Sequence, residues 1–309
     1  MVKKLKFLGA FLQAAVISGV VLVLVLWRTP EVNIVYMANS NYLPYMMVSM
    51  ESAVMHKNKN SRYHIHVIAE NFTAKDEETV QKIAGDKITV TMYPAKKLNL
   101  DMRHLGRFSS FGTALQKLFI ADYLSDVDKV LYLDADTLVQ GDLTGVYTIG
   151  LRDSYAAAVK DGLMYQFSEH VAGLNLANPE FYFNSGVMLL NLNKIRKDDI
   201  MRRAVIYFNT HNEIFGDQDV LNAVFAGKVR PLSYRYNCNS TFFEEKDAAF
   251  LSTFYQEPVP QTPREVYDNA VILHFAGHKP WTPWFKHSYL QPLWQGYAGK
   301  AAAKYQISY

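Results

Sequence analysis

The sequence predicts an α/β fold, a Rossmann-like sheet flanked by helices and preceded by one N-terminal membrane-spanning helix. Three observations carry this expectation. Strand-like and helix-like segments alternate from Val32 onward, the pattern of a sheet built through right-handed crossovers. The apolar run Val130–Leu133 then ends abruptly on Asp134-Ala135-Asp136, as a buried strand does where it leaves the core. Finally, Phe7 to Trp27 carries no charged residue and as a helix would span about 31 Å, close to a bilayer's hydrocarbon thickness.

Each element has its own signal. Lys3, Lys4 and Lys6 precede the apolar N-terminal run, which ends in V-L-V-L-V-L-W without small residues for cleavage; this favours an uncleaved anchor over a signal peptide. Val32–Met37, Tyr63–Ile68 and Lys87–Met92 read as strands. Pro44–Met55 reads as a helix with proline in its first turn, and Lys75–Ala84 as a helix capped by Thr73. Pro94–Arg107 is basic and irregular, a surface loop. Apolar spacing over Thr113–Leu124 predicts a helix, followed by the strand Lys129–Leu133. Further on, Ala156–Val159, Gly186–Asn191 and Val271–Phe275 read as strands, Ile195–Asn209 and Gln218–Phe225 as helices. No Pro-, Gly- or Ser-rich linker interrupts the body, so one domain is expected, over 31–285 after a basic segment (1–6) and the anchor (7–27). The aromatic tail 286–309 either packs on the core or lies on lipid.

Composition narrows the function. Net charge is only +3, and no basic stripe interleaves with aromatics, which argues against nucleic acid. The single cysteine, Cys238, rules out an intrachain disulfide and a multi-cysteine metal site.

The chemistry gathers in five stretches. Asp134 and Asp136 point the same way in an extended chain, where like charges repel unless a proton or cation lies between them. In an open α/β sheet, ligands collect at the carboxyl ends of the strands. Ala38–Tyr42 ends the first strand, with Asn39 and Asn41 able to bond a base or ribose and Tyr42 able to stack. Phe181–Leu192, F-Y-F-N-S-G-V-M-L-L-N-L, places Asn184 in an apolar run, where it either braces the backbone or reads a hydroxyl-rich ligand. F-G-D-Q-D-V clusters Asp217, Gln218 and Asp219 at a helix start. H-F-A-G-H-K-P-W brings His274 to complete an oxygen–imidazole site suited to manganese or a similar ion, Gly277 for close approach and Lys279 as a charge for phosphate.

In this ordered set, together with N-I-V-Y-M-A-N-S-N-Y and D-K-V-L-Y-L-D-A-D, the chain resembles glycosyltransferase family 8, which includes bacterial lipopolysaccharide galactosyltransferases and glycogenin. The resemblance implies a GT-A fold with a mixed sheet and retaining transfer of a hexose or pentose from a UDP-sugar. The implied acceptor is a glycan, lipid-linked or protein-linked sugar. It implies Mn2+ or another divalent cation on Asp134, Asp136 and His274. Donor binding falls to Ala38, Asn39, Asn41, Tyr42, Lys117, Ala135, Gly277 and Lys279, and catalysis to Asp161, Asn184, Asp217 and Gln218. Lys117 stands where the bacterial galactosyltransferases carry arginine, and the final motif is one residue shorter than the commoner H-x-x-G-x-x-K-P-W. A rival reading takes D-A-D-T as the opening motif of a haloacid-dehalogenase-type phosphatase, with Asp134 as nucleophile. The anchor implies a single-pass membrane protein: lumenal in the Golgi or endoplasmic reticulum of a eukaryote, where Asn71-Phe-Thr and Asn239-Ser-Thr would serve as glycosylation sequons, or on the cytoplasmic face of a bacterial inner membrane.

Overall fold

The computed structural model describes residues 31–309 apart from 163–164, 166 and 212–215. The expected anchor at Phe7–Trp27 lies outside the described residues, as does Phe215. Among the described residues, no helix is long and apolar enough to cross a membrane.

Among the described residues, ten strands form two sheets: β1 (Glu31–Asn39), β2 (Arg62–Glu70), β3 (Ile88–Pro94), β4 (Lys129–Leu133), β5 (Thr137–Val139), β6 (Ala156–Lys160), β7 (Phe183–Asn191), β8 (Val229–Pro231), β9 (Cys238–Asn239) and β10 (Ile272–His274). The large sheet runs β3-β2-β1-β4-β7-β6-β8, and β5-β10-β9 form the small one. Strands β1 to β4 are parallel, as strand–helix alternation requires. Strand β7 is antiparallel to both β4 and β6, which makes the sheet mixed. Chain order reverses between β1 and β4, so their carboxyl ends open a crevice at a topological switch point.

Alternate residues feed two cores, one on each face. Ile34 and Tyr36 of β1 join Leu131 and Leu133 of β4 on one side. Val35 and Met37 join Val130 and Tyr132 on the other. The first face is covered by the helices Leu43–Met55 and Leu290–Tyr305. The latter lies within the aromatic tail: Trp294, Ala298, Ala301 and Tyr305 are buried, and Lys304 reaches the buried Glu51 at 2.9 Å. The tail therefore packs on the core.

Three local expectations are corrected. The helix expected over Thr113–Leu124 is mostly 3-10, spanning Met102–Phe119 and passing into a single α-turn at Ile120–Tyr123. The expected helix Ile195–Asn209 is two, Leu192–Lys197 and Ile200–Thr210, parted where Asp199 adopts φ +52°, a left-handed conformation that breaks the ladder. Asn239 is 6% exposed, so its sequon is closed to a glycan in the folded chain; the sequence motif carries no information on burial.

A polar relay crosses four adjacent strands. Tyr147 donates to the Lys129 carbonyl (2.9 Å) and accepts from Asn33 Nδ2 (3.1 Å). Asn33 Oδ1 meets His66 Nε2 (3.0 Å), and His66 Nδ1 meets Tyr93 Oη (3.1 Å). The neutral imidazole is fully satisfied there. Burial, reinforced by His64 stacked at 4.0 Å, pushes the His66 pKa down to about 3 from 6.5. A proton thus binds the unfolded chain first. Stability present above about pH 6.5 is lost as pH falls toward 3, by on the order of 5 kcal/mol. We expect wild type to exceed His66→Gln in melting temperature at pH 7.5 and the gap to close by pH 4. Parallel melting curves across that range would refute the assignment.

Candidate active site

Strand β4 is buried from Val130 through Leu133 and delivers Asp134 to the crevice. The chain turns at once: Thr137 N–H and Oγ1 both donate to the Asp134 carbonyl, at 3.2 and 2.8 Å. Strand β5 then pairs with β10, bringing His274 opposite Thr137, and Phe275 N–H donates to the Asp136 carbonyl at 3.0 Å. This pairing carries His274 to the two acids. One ligand atom from each of Asp134, Asp136 and His274 lies within 4.8 Å of the others.

Each carboxylate is divided between a lysine and the histidine. Asp134 Oδ1 accepts from Tyr132 Oη and faces Lys117 Nζ at 3.1 Å, while Oδ2 stands 3.7 Å from His274 Nε2. Asp136 Oδ2 is paired with Lys279 Nζ, and Oδ1 stands 3.3 Å from His274 Nε2. Buried Asp136 Oδ1 makes no hydrogen bond. Burial opposes the Asp136 charge more than any one neighbour favours it, but the Lys279 ammonium and the His274 ring together outweigh it and hold the carboxyl well below the usual range. Lys279, in turn, is destabilised by burial and raised on balance by Asp136.

Lys117 lies buried between Asp134 and Asp217, the latter at 3.0 Å, with Ser185 Oγ at 3.2 Å and the Tyr132 ring 4.9 Å below. Burial alone would lower its pKa; Asp134 and Asp217 together raise it. For Asp217, burial and the nearby Asp134 prevail over Lys117, so its carboxyl sits above the ordinary range.

The remaining groups form an amide relay with fixed direction. Asn184 Nδ2 and Gln218 Nε2 both donate to Asp161 Oδ2, at 3.0 and 2.8 Å. Gln218 Oε1 accepts from Ser185 N–H (2.9 Å), and Asn184 Oδ1 from Gly186 N–H (2.9 Å) and Asn237 Nδ2 (2.8 Å). Asn237 Oδ1 is therefore left facing His274 Nδ1 at 2.8 Å. An amide oxygen only accepts, so Nδ1 carries a proton, and in the neutral ring it is the Nε2 lone pair that faces the two carboxylates. Three such donors around one point fit a divalent cation, with the outer partner orienting the imidazole as metal-ligating histidines require. The helix Asp217–Val224 that supplies Asp217 and Gln218 is docked by Asn222, which accepts from Phe183 N–H and donates to its carbonyl, both at 2.9 Å.

Asp134, Asp136, His274, Lys117, Lys279, Asp161, Asn184, Asp217 and Gln218 are thus brought together. Ala135 is buried between the acids, and Gly277, at φ +88°, turns the chain from His274 to Lys279. The loop after β1 borders this cluster through Tyr42, whose ring stands edge-on to Trp281 with the centroids 6.4 Å apart. Ala38 is buried, Asn41 exposed. Asn39 already caps its own turn by accepting from Tyr42 N–H at 3.2 Å, and it reaches Thr113 at 3.4 Å.

Tyr132, Ser185, Gly186 and Asn237 were not singled out from the sequence. Ser185 and Gly186 stand inside the quoted F-N-S-G-V run, whereas Asn237, in Y-R-Y-N-C-N-S, carried no signal of its own. Gly186 is dictated by space: a Cβ there would stand 2.2 Å from His274 Cε1 and 2.8 Å from Asp134 Oδ2. We expect Gly186→Ala to displace both side chains, cost about 1–3 kcal/mol of stability and weaken binding of a divalent cation, with Mn2+ as one probe, at least about tenfold. Thermal unfolding and calorimetric titration measure the two effects, and unchanged cation affinity would contradict the geometry.

Residues 33–285 match the family model described as glycosyl transferase family 8. A lipopolysaccharide 1,2-glucosyltransferase of Escherichia coli is 27% identical over 297 residues, covering 88% of this chain and 82% of that protein. A Haemophilus influenzae protein described as a glycosyltransferase is 25% identical over 219 residues; that match covers 68% of this chain and 64% of the relative's length. The galactosyltransferase LgtC, solved with donor and acceptor sugar analogs, superposes with a TM-score of 0.69 at 25% identity, over 87% of this chain and 95% of that one. The phosphatase reading has no support here: Asp134 follows the fourth strand of the sheet, whereas that motif opens its domain. With four-fifths of its length matched by one family model and the acids, lysines and histidine of the quoted motifs gathered in one crevice, the chain belongs to glycosyl transferase family 8 and is a glycosyltransferase.

Proposed function

We propose that the enzyme is a metal-dependent, retaining transferase that moves a hexose or pentose from a UDP-sugar to a glycan or lipid-linked sugar acceptor, with a protein-linked sugar as the further possibility. The convergence of Asp134, Asp136 and His274 on one point carries this reading. The lipopolysaccharide-directed relative supports a lipid-linked acceptor.

Asp134, Asp136 and His274 would hold the cation, with Mn2+ suited to mixed oxygen and imidazole ligands. When bound, the cation neutralises charge that builds on the diphosphate as the glycosidic bond breaks. Lys279 and Lys117 add fixed positive charge beside it. Asp161, Asn184 and Gln218 orient the transferred sugar, while Asn39, Asn41 and Tyr42 border the nucleotide. Gln218 spends both ends of its amide on Asp161 and Ser185, and Asp217 is held by Lys117 and Ser185. This favours attack by the acceptor hydroxyl from the leaving-group side over a covalent intermediate on either residue. The uncharged run from Phe7 to Trp27 is read as a membrane anchor, consistent with an acceptor in or near a bilayer.

With a UDP-sugar and Mn2+ but no acceptor, slow release of UDP and free sugar is expected. Chelation should abolish it and Mn2+ restore it. Asp136→Asn should lower turnover by at least about a hundredfold, since a cation at a charged leaving group contributes several kcal/mol. Full turnover in excess chelator would overturn the metal-dependent reading. The anchor is checked separately: the full chain should stay with membranes through alkaline carbonate and leave only in detergent.

A further inference from the structure

Among the described residues, three buried side-chain polar atoms make no hydrogen bond: Asp136 Oδ1 and both ends of the Asn239 amide. The first faces the candidate cation. The second has no structural explanation. Asn239 is the N-cap of the helix Ser240–Glu245, yet its side chain makes no capping bond. A glycan is excluded by its burial. Leaving a buried amide unpaired at both ends is costly, and native structures rarely tolerate it without a ligand or a function.

Its place in the sheet indicates what fills it. Strand β9 runs parallel to β10 with Asn239 in register with His274. In-register partners on adjacent strands project to the same face. The Asn239 amide therefore lies on the face where His274 meets Asp134 and Asp136, beyond Asn237 in the chain. An amide offers a donor and an acceptor. Ionised diphosphate oxygens satisfy only the donor. A hydroxyl, which both gives and accepts, satisfies both.

We infer that Asn239 is a specificity-determining residue that hydrogen-bonds a hydroxyl of the transferred sugar. This rests on the reading of the site as one for a nucleotide-sugar. Among the described residues no group pairs with this amide, and the bound sugar supplies its partner.

Asn239→Leu, close in volume and apolar, separates this role from a structural one. Removing an unpaired buried amide should leave the melting temperature of the free protein unchanged or raised. The same change should lower kcat/KM for the UDP-sugar at least about tenfold with UDP affinity unaltered. Asn239→Ser, too short to span the same gap, should show a comparable loss and provides a second folded variant. Among singly deoxygenated analogues of the preferred donor, one should be used equally by wild type and Asn239→Leu, identifying the hydroxyl contacted. The assignment fails if both variants keep wild-type kcat/KM, if melting temperature falls in step with activity, or if no analogue closes the gap. A wild-type enzyme that turns over no nucleotide-sugar defeats the underlying reading, and this assignment with it. A working wild type with indifferent variants defeats this assignment alone.

Discussion

The site depends on charge compensation at the end of one buried strand. Asp134, Asp136 and Asp217 are removed from most water, where unpaired carboxylates would protonate or unfold the crevice. Lys117, beside Asp134 and Asp217, and Lys279, beside Asp136, oppose this. Lys117 is itself buried, so it is held by the acids as much as it holds them. The 3-10 stretch that carries it packs on the second core, and Tyr132 places a ring beneath its ammonium. The architecture follows from this balance: a lysine on each side takes one oxygen of each aspartate and leaves the other oxygen for the histidine.

A second layer sets direction. The Asp161 carboxylate and the Gly186 N–H have fixed hydrogen-bonding roles, one accepting and the other donating. Those roles propagate through Asn184 and Asn237 to His274 and fix which ring nitrogen is bare. A site built this way is organised before any ligand arrives, because its amides have little freedom to rotate away. Asn239 departs from that rule, and the departure marks where a ligand's own hydroxyl group enters the network.

Much of this was legible in advance. The apolar run into Asp134 and Asp136 revealed a strand end at a crevice, and the ordered motifs placed Asn184, Asp217, Gln218, His274 and Lys279 near it. The parallel half of the sheet followed from strand–helix alternation. Other features were illegible for physical reasons. The 3-10 winding of Met102–Phe119 shares its apolar spacing with an α-helix, and tertiary packing chooses between them. The antiparallel turn of β7 leaves no local signature, since a strand buried on both faces reads alike in either direction. Asn237 and Gly186 matter through neighbours far away in the chain.

By itself, the sequence determined the kinds of chemistry available: which residues could carry charge, bind a cation or cap a helix, and which segments had to be buried. These properties belong to side chains and to local periodicity. Only the tertiary structure decided which of them meet. Pairing of β5 with β10 brings His274 to acids about 140 residues away in the chain, and pairing of β9 with β10 sets an unsatisfied Asn239 beside it. Contacts of that range depend on strand register and on the packing of two cores, neither of which is written in any single stretch of residues.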